Sequence, residues 1–127
     1  MRPARVLLVE DDVHTRRINA LALGSLGFEI VEAVDGFEAL RLALSLHPDL
    51  IVMDISLPGM SGTATMERIL TEIPPPPPLM LVLTARAMRD DMEAARSAGC
   101  DGYLTKPIDP FDLAREVERL LSTRRPA

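Results

Sequence analysis

At 127 residues, with 47% hydrophobic and 26% charged side chains, the chain is sized for one globular domain that buries very roughly two-thirds of its unfolded surface and needs no staples. A net charge of −5 gives no large positive field, so direct nucleic acid binding by this domain is not expected. The lone Cys100 cannot close an intramolecular disulfide, which suits a reducing, cytoplasmic setting and an inert thiol; only four apolar residues separate Arg5 from Glu10, too few for a signal peptide or membrane span.

Val6-Leu7-Leu8-Val9 is a short apolar run stopped by Glu10-Asp11-Asp12, and it reads as a strand covered on both faces. Ile18, Leu21, Ala22 and Leu26 recur at helical spacing and predict a helix packed by that face, with Gly27 as its C-terminal cap. Phe28-Glu29-Ile30-Val31 predicts a second strand and Asp35-Gly36 a turn. Phe37, Leu40, Ala43 and Leu44 then predict a second amphipathic helix that ends before Pro48. The run from Asp49 to Met53, bounded by His47-Pro48 and Pro58-Gly59, predicts a third strand with Asp54 at its carboxyl end. Open parallel sheets bind ligands beyond those ends, so Asp54 faces the expected site.

Ser61 is suited to cap a third helix whose inward face is Met66, Ile69, Leu70 and Ile73. Pro74 to Pro78 end it and favour polyproline II, a stiff solvent-facing spacer, with a PxxP docking segment as the sharper alternative. Leu79-Met80-Leu81-Val82-Leu83-Thr84 predicts the fourth strand. Met88, Met92, Ala95 and Ala98 predict a fourth helix ending at Gly99, the methionines filling core or offering adaptable docking side chains. Gly102-Tyr103-Leu104-Thr105 predicts a fifth strand closed by Lys106-Pro107. Leu113, Ala114, Val117, Leu120 and Leu121 predict a last helix started near Asp109-Pro110. Strand and helix thus alternate five times, which predicts an α/β class: one domain over residues 1–127, a parallel sheet with helices on both faces, and residues 122–127 as a tail or cut linker.

All strands of a parallel sheet end at one edge, so Glu10-Asp11, Asp54, Thr84 and Lys106 share it although they are far apart in sequence. Clustered carboxylates repel one another unless a cation sits among them, and hard oxygen ligands in an incomplete cage suit Mg²⁺. A carboxylate, a divalent metal, a lysine and a hydroxyl at one point form a phosphoryl-transfer set. In it Asp54 is the nucleophile that becomes an acyl phosphate, Mg²⁺ and Lys106 offset charge on the transferring oxygens, and Thr84 donates a hydrogen bond to one of them. Singly, each residue has a plainer reading: Asp12 caps the first helix, Glu10 or Asp11 could do the same, Lys106 is a solvated lysine, Thr84 a strand-end hydroxyl and Asp54 a turn residue. Four strand ends each delivering a suitable group favour one shared explanation.

The acidic pair Glu10-Asp11, the run Asp54-Ile55-Ser56-Leu57-Pro58-Gly59, the pair Thr84-Ala85 and the run Gly102-Tyr103-Leu104-Thr105-Lys106-Pro107 follow in an order and spacing that resembles the receiver domains of two-component response regulators. The resemblance covers almost the whole chain. It implies a flavodoxin-like, doubly wound sheet of strand order 2-1-3-4-5, and Asp54 as phosphoacceptor. It further implies that Asp11 and Asp54 ligate Mg²⁺ directly, that Glu10 helps directly or through water, that the backbone carbonyl of Ser56 completes the protein ligands, and that Lys106 and Pro107 are joined by a cis bond. As phosphoryl donor it implies a histidine kinase or histidine phosphotransfer protein; a downstream effector or an omitted output domain is the expected recipient of the signal, and a phosphorylation-dependent homodimer is compatible with it.

Tyr103 is similar in place to an aromatic that turns inward when Thr84 reorients toward the phosphoryl group, altering the surface of the fourth helix, fifth strand and fifth helix. The alternative is a packed tyrosine with a wet hydroxyl. Ser56 and Arg86 flank the mouth of the site, where family members set how quickly water removes the phosphoryl group. Two other functions compete with this switch, which is not an enzyme in its own right. One is an aspartyl-phosphate phosphohydrolase, which wants a second acid where this chain has Ser56; the other is a docking module that is never phosphorylated.

Overall fold

A computed structural model describes residues 2–85 and 89–124. Arg86, expected at the mouth of the site, and Met88, expected on the fourth helix, lie outside the described residues. The elements alternate as β1 (Arg5–Val9), α1 (Val13–Gly24), β2 (Glu29–Ala33), α2 (Gly36–Leu46), β3 (Leu50–Asp54), α3 (Gly62–Glu72), β4 (Leu79–Thr84), α4 (Arg89–Ser97), β5 (Gly102–Thr105) and α5 (Pro110–Ser122). The strands form one parallel sheet in the order β2-β1-β3-β4-β5. The doubly wound α/β fold is as expected. Ser122 closes α5 rather than opening a tail.

Successive strand residues point to opposite faces, and the sheet sorts its apolar side chains accordingly. Leu7, Val9, Ile51, Met53, Met80 and Val82 meet Ala39, Ala43, Met66, Ile69 and Ala95 of α2, α3 and α4. Val6, Leu8, Leu50, Val52, Leu81 and Leu83 meet Leu23 of α1 and Leu113, Val117 and Leu120 of α5. Every residue of β3 and β4 is buried, as unbroken apolar runs require when helices cover both faces.

The helix starts are chemically explicit. Asp12, Asp35, Ser61 and Asp109 each accept a backbone N–H from the first turn, and Pro110 follows Asp109 at the first helical position. Asp35-Gly36 therefore opens α2 rather than forming a free turn, with Glu38 reaching back to the Val34 N–H at 2.9 Å.

Other expectations are corrected. The inward face of α1 is Arg16, Asn19, Ala22 and Leu23, whereas Ile18, Leu21 and Leu26 are 54%, 76% and 42% exposed. The helix stops at Gly24 with Ser25 as C-cap, and Gly27 takes φ +90° two residues later, where only glycine is unstrained. Phe37 is also outside, laid over Gly59, while Ala39 and Ala43 carry the inward face of α2. In the proline run, Pro74 to Pro77 are exposed, as a solvent-facing spacer requires, but Pro78 is buried; the bond between Pro75 and Pro76 is cis.

Candidate functional site

The strand ends converge as their order requires. β1 hands over to Glu10, whose N–H still bonds Ala33 O at 3.1 Å; β3 ends in Asp54; and Lys106, just past β5, donates its backbone N–H to Thr84 O at 2.6 Å. Ligand oxygens of Glu10, Asp11 and Asp54 all lie within 4.8 Å of one another. Lys106 Nζ donates to Glu10 Oε1 and to Asp54 Oδ2, each at 2.8 Å. Glu10 and Asp54 are buried while Asp11 is exposed, so the cluster opens to solvent on one side.

Local geometry holds the aspartate. The Ser56 N–H donates to Asp54 Oδ1 at 3.0 Å, and the Ile55 N–H continues the ladder to Leu83 O at 2.9 Å. α3 seats its first residue against this turn: Gly62 donates to Ile55 O at 3.1 Å, and a Cβ at Gly62 would lie 2.6 Å from Asp54 O. Glycine is needed there for close approach, not for its φ. Thr84 is buried at the end of β4, and the bond between Lys106 and Pro107 is cis, as expected. Beside Lys106 a depression of about 370 Å³ is lined by Thr15, Asn19, Ala85, Pro107 and Ile108.

The electrostatics follow from crowding. Burial pushes the Glu10 carboxyl up, against the lowering hydrogen bonds from Lys106 and the Asp12 N–H, with the Asp54 charge adding to the rise. Burial works against the Lys106 ammonium, but hydrogen bonds and charges from Asp54 and Glu10 outweigh it and hold the lysine above its ordinary range. Lys106 is thus no solvated surface lysine; it is the internal counter-charge of the cluster. Asp12 stands apart. Hydrogen bonds from Thr15 Oγ1 and Thr15 N lower its carboxyl, and its role is the helix cap.

Tyr103 is half-buried and packs with the cluster on the α2, α3 and α4 face, opposite Val82 in the β4–β5 register. Ser56 is exposed. Two supporting residues carried no sequence signal of function: Gly62, and Arg16, whose buried guanidinium reaches the Glu10 backbone. An arginine on a helix pattern dominated by leucines reads as a solvent-facing residue. Only the tertiary structure turns it inward.

Residues 6–118 match the model of the response regulator receiver domain family. The chain belongs to that family. Over 124 residues this receiver is 40% identical to the transcriptional regulatory protein PdtaR of Mycobacterium tuberculosis, covering 97% of this chain and 59% of that protein. It spans 51% of the length of a second mycobacterial relative, PrrA of M. tuberculosis, at 39% identity, so it corresponds to part of those proteins. Among solved structures it resembles a CheY-like receiver domain protein from Methanospirillum hungatei, with TM-score 0.88, 27% identity and 95% coverage of both chains. It also resembles the receiver domain of the sensor histidine kinase PA1611 from Pseudomonas aeruginosa, solved with a magnesium ion in its active site cleft, with TM-score 0.84, 31% identity, and coverage of 94% of this chain and 98% of that one. No helix among the described residues of the receiver is long and apolar enough to cross a membrane.

Proposed function

We propose that Asp54 is the phosphoacceptor of this receiver and that residues 1–127 act as one phosphorylation-controlled switch. The observation that carries the reading is the meeting of Glu10, Asp11 and Asp54 at one sheet edge, with Lys106 bonded to two of the three. The donor set fits a hard dication. Its oxygens lie within 4.8 Å of one another, against about 4.2 Å across an octahedral Mg²⁺ with bonds of about 2.1 Å. Asp11, Asp54 and Glu10, with the backbone carbonyl of Ser56, are the groups we assign to hold it. Bound there, Mg²⁺ supplies charge compensation between an anionic nucleophile and an anionic phosphoryl group.

The chain's own residues do the rest. An Asp54 carboxylate oxygen forms the bond to phosphorus while the bond from phosphorus to the donor's imidazole nitrogen breaks, and that nitrogen keeps the electron pair. The Ser56 N–H restrains Oδ1 of Asp54 throughout. Lys106, kept charged by its carboxylates, exchanges the Asp54 contact for a phosphoryl oxygen, and Thr84 donates to another. The donor is a histidine kinase or histidine phosphotransfer protein in the cytoplasm. Thr84 and Tyr103 then carry the change to the surface of α4, β5 and α5, where a downstream effector, an output domain or a second copy of the chain receives it. At the position two after Asp54 a phosphohydrolase would want an acid; Ser56 supplies none.

Incubation with Mg²⁺ and a small acyl phosphate, followed by intact-mass measurement of wild type and Asp54→Asn, tests the reading. A single metal-dependent phosphoryl adduct on wild type that is missing from the variant is expected. An undiminished adduct on Asp54→Asn, or sustained release of inorganic phosphate from simple phosphoesters, refutes it.

A further inference from the structure

Arg16 is the one cationic side chain among the buried polar residues of the described structure. It leaves α1 toward the sheet. Its Nη1 donates to the Glu10 backbone oxygen at 3.0 Å, and its Nε donates to Glu32 Oε1 of β2, also at 3.0 Å. Glu10 O belongs to the peptide plane that joins Glu10 to Asp11, so a bond to that oxygen fixes the direction in which the chain leaves Glu10. The same residue's N–H is held from the other side by Ala33 O at 3.1 Å. Asp11 has no comparable support of its own: among the described residues, no hydrogen bond is made by its side chain. Where its carboxylate sits is therefore set by the backbone that presents it.

We propose that Arg16 is a positioning residue of the acidic cluster. By clamping the Glu10–Asp11 peptide between α1 and β2 it sets the Asp11 carboxylate within reach of Asp54 before any ligand arrives. The proposal rests on the reading of Glu10, Asp11 and Asp54 as a divalent cation site, and it adds a residue that touches neither metal nor phosphoryl group. Glu32 belongs to the device, because it anchors the guanidinium at 3.0 Å, while the exposed Arg17 reaches the same oxygen from solvent at 3.7 Å. Two different contacts at fixed spacing also require the planar fork of arginine. A lysine would have to reach both acceptors from one nitrogen, without the fixed separation and direction that Nε and Nη1 give.

The geometric role and a purely electrostatic one differ in sign. Were Arg16 merely a nearby cation, removing its charge would tighten Mg²⁺ binding; as a clamp, its loss loosens it. Arg16→Lys, which keeps the charge, and Arg16→Gln, which removes it, are titrated with Mg²⁺ alone by NMR at a temperature where circular dichroism shows both folded. The backbone order parameter of Asp11 is measured in the metal-free chains. The expected result is an affinity loss of about 10-fold or more in both variants, in line with residues that orient ligands from behind, together with a lowered order parameter at Asp11. Binding that is tighter, or weakened by less than about 3-fold, in either folded variant overturns the proposal, as does an Asp11 backbone as rigid as in wild type; weakening beyond that limit in both with a looser Asp11 upholds it. Wild type is the separating control: if it neither binds Mg²⁺ nor accepts a phosphoryl group on Asp54, the underlying reading fails. If it does both while the variants behave like it, only the role of Arg16 fails.

Discussion

Gly62→Ala isolates the packing that sets Asp54 in place. Gly62 opens α3 directly against the turn that follows β3, and an added Cβ would lie 2.6 Å from both Asp54 O and Ile55 Cα. These are backbone atoms, so no rotamer change relieves the contact. Reaching an ordinary separation of 3.4 Å requires α3 and the end of β3 to part by roughly 0.8 Å. Overpacking of this kind costs about 1–3 kcal/mol, and the better helix propensity of alanine returns at most about 1 kcal/mol. The midpoint of thermal unfolding should therefore fall by several degrees.

The larger effect is expected on chemistry. A displacement near 1 Å at a reacting group costs up to about 10²-fold, and Asp54 is the residue displaced. The assay pairs a thermal melt with the rate of phosphoryl transfer from a small acyl phosphate in Mg²⁺, measured well below both midpoints. Gly24→Ala, at the end of α1 where an added Cβ meets nothing within 4 Å, is the control. It should be neutral or slightly stabilising, by up to about 1 kcal/mol, with an unchanged transfer rate. Wild-type stability and rate in Gly62→Ala would refute the reasoning, and so would equal slowing in Gly24→Ala.

Lys106→Met removes the ammonium between Glu10 and Asp54, whose side chains are only 3% and 6% exposed, and leaves their charges facing each other. In metal-free buffer it should lose about 3 kcal/mol in a urea melt, with part restored by Mg²⁺ binding to the folded state; midpoints equal to wild type with and without Mg²⁺ would count against the cluster as drawn. At Cys100, burial followed by the nearby Asp101 charge pushes the thiol up, so the reactive thiolate is scarcer than in a free cysteine. Alkylation by iodoacetamide should be slow at pH 8 and keep rising at higher pH than for a small thiol; a rate profile superimposable on that of the small thiol would contradict it.

The acidic pair, Asp54 and Lys106 were legible because each terminates a strand, and strands are the strongest pattern in this chain. α1 was not legible by the same means. Ile18 and Leu21 form the apolar stripe that periodicity rewards, yet the helix turns them out and buries Arg16 and Asn19. The competing force is polar: the Glu10 carbonyl and Glu32 offer Arg16 two charge-assisted bonds where the helix crosses the acidic loop, and Ala22 with Leu23 suffices to fill the space below. Phe37 was misplaced for a different reason. α2 approaches α3 so closely that a Cβ at Gly36 would lie 2.2 Å from Thr65 Oγ1, and only Ala39 and Ala43 fit the seam; the large ring is left to cover Gly59. Hydrophobicity gave the direction in neither case, because what decided it was the size and chemistry of the neighbour.

Strand parity carries the argument one step further than strand order. Side chains alternate across a sheet, so residues two apart share a face. Val6 and Leu8 lie on the α1 and α5 face, and the row runs on to Glu10; Leu50 and Val52 run on to Asp54; Leu104 runs on to Lys106. The three charged groups that touch are thus the continuations of three rows of one face, which is why they meet rather than merely sharing an edge. Met80 and Val82 lie on the opposite face, where the row runs on to Thr84, and Tyr103 packs on that face too. Thr84 is the residue that belongs to both sides: its backbone oxygen accepts the Lys106 N–H at 2.6 Å, while its side-chain row is the one Tyr103 shares. If a phosphoryl group on Asp54 draws Lys106 and the Thr84 hydroxyl toward it, the displacement is delivered through the sheet to the face where Tyr103 sits. A substitution at Tyr103 should then leave Asp54 chemistry intact and alter only what the phosphorylated chain binds.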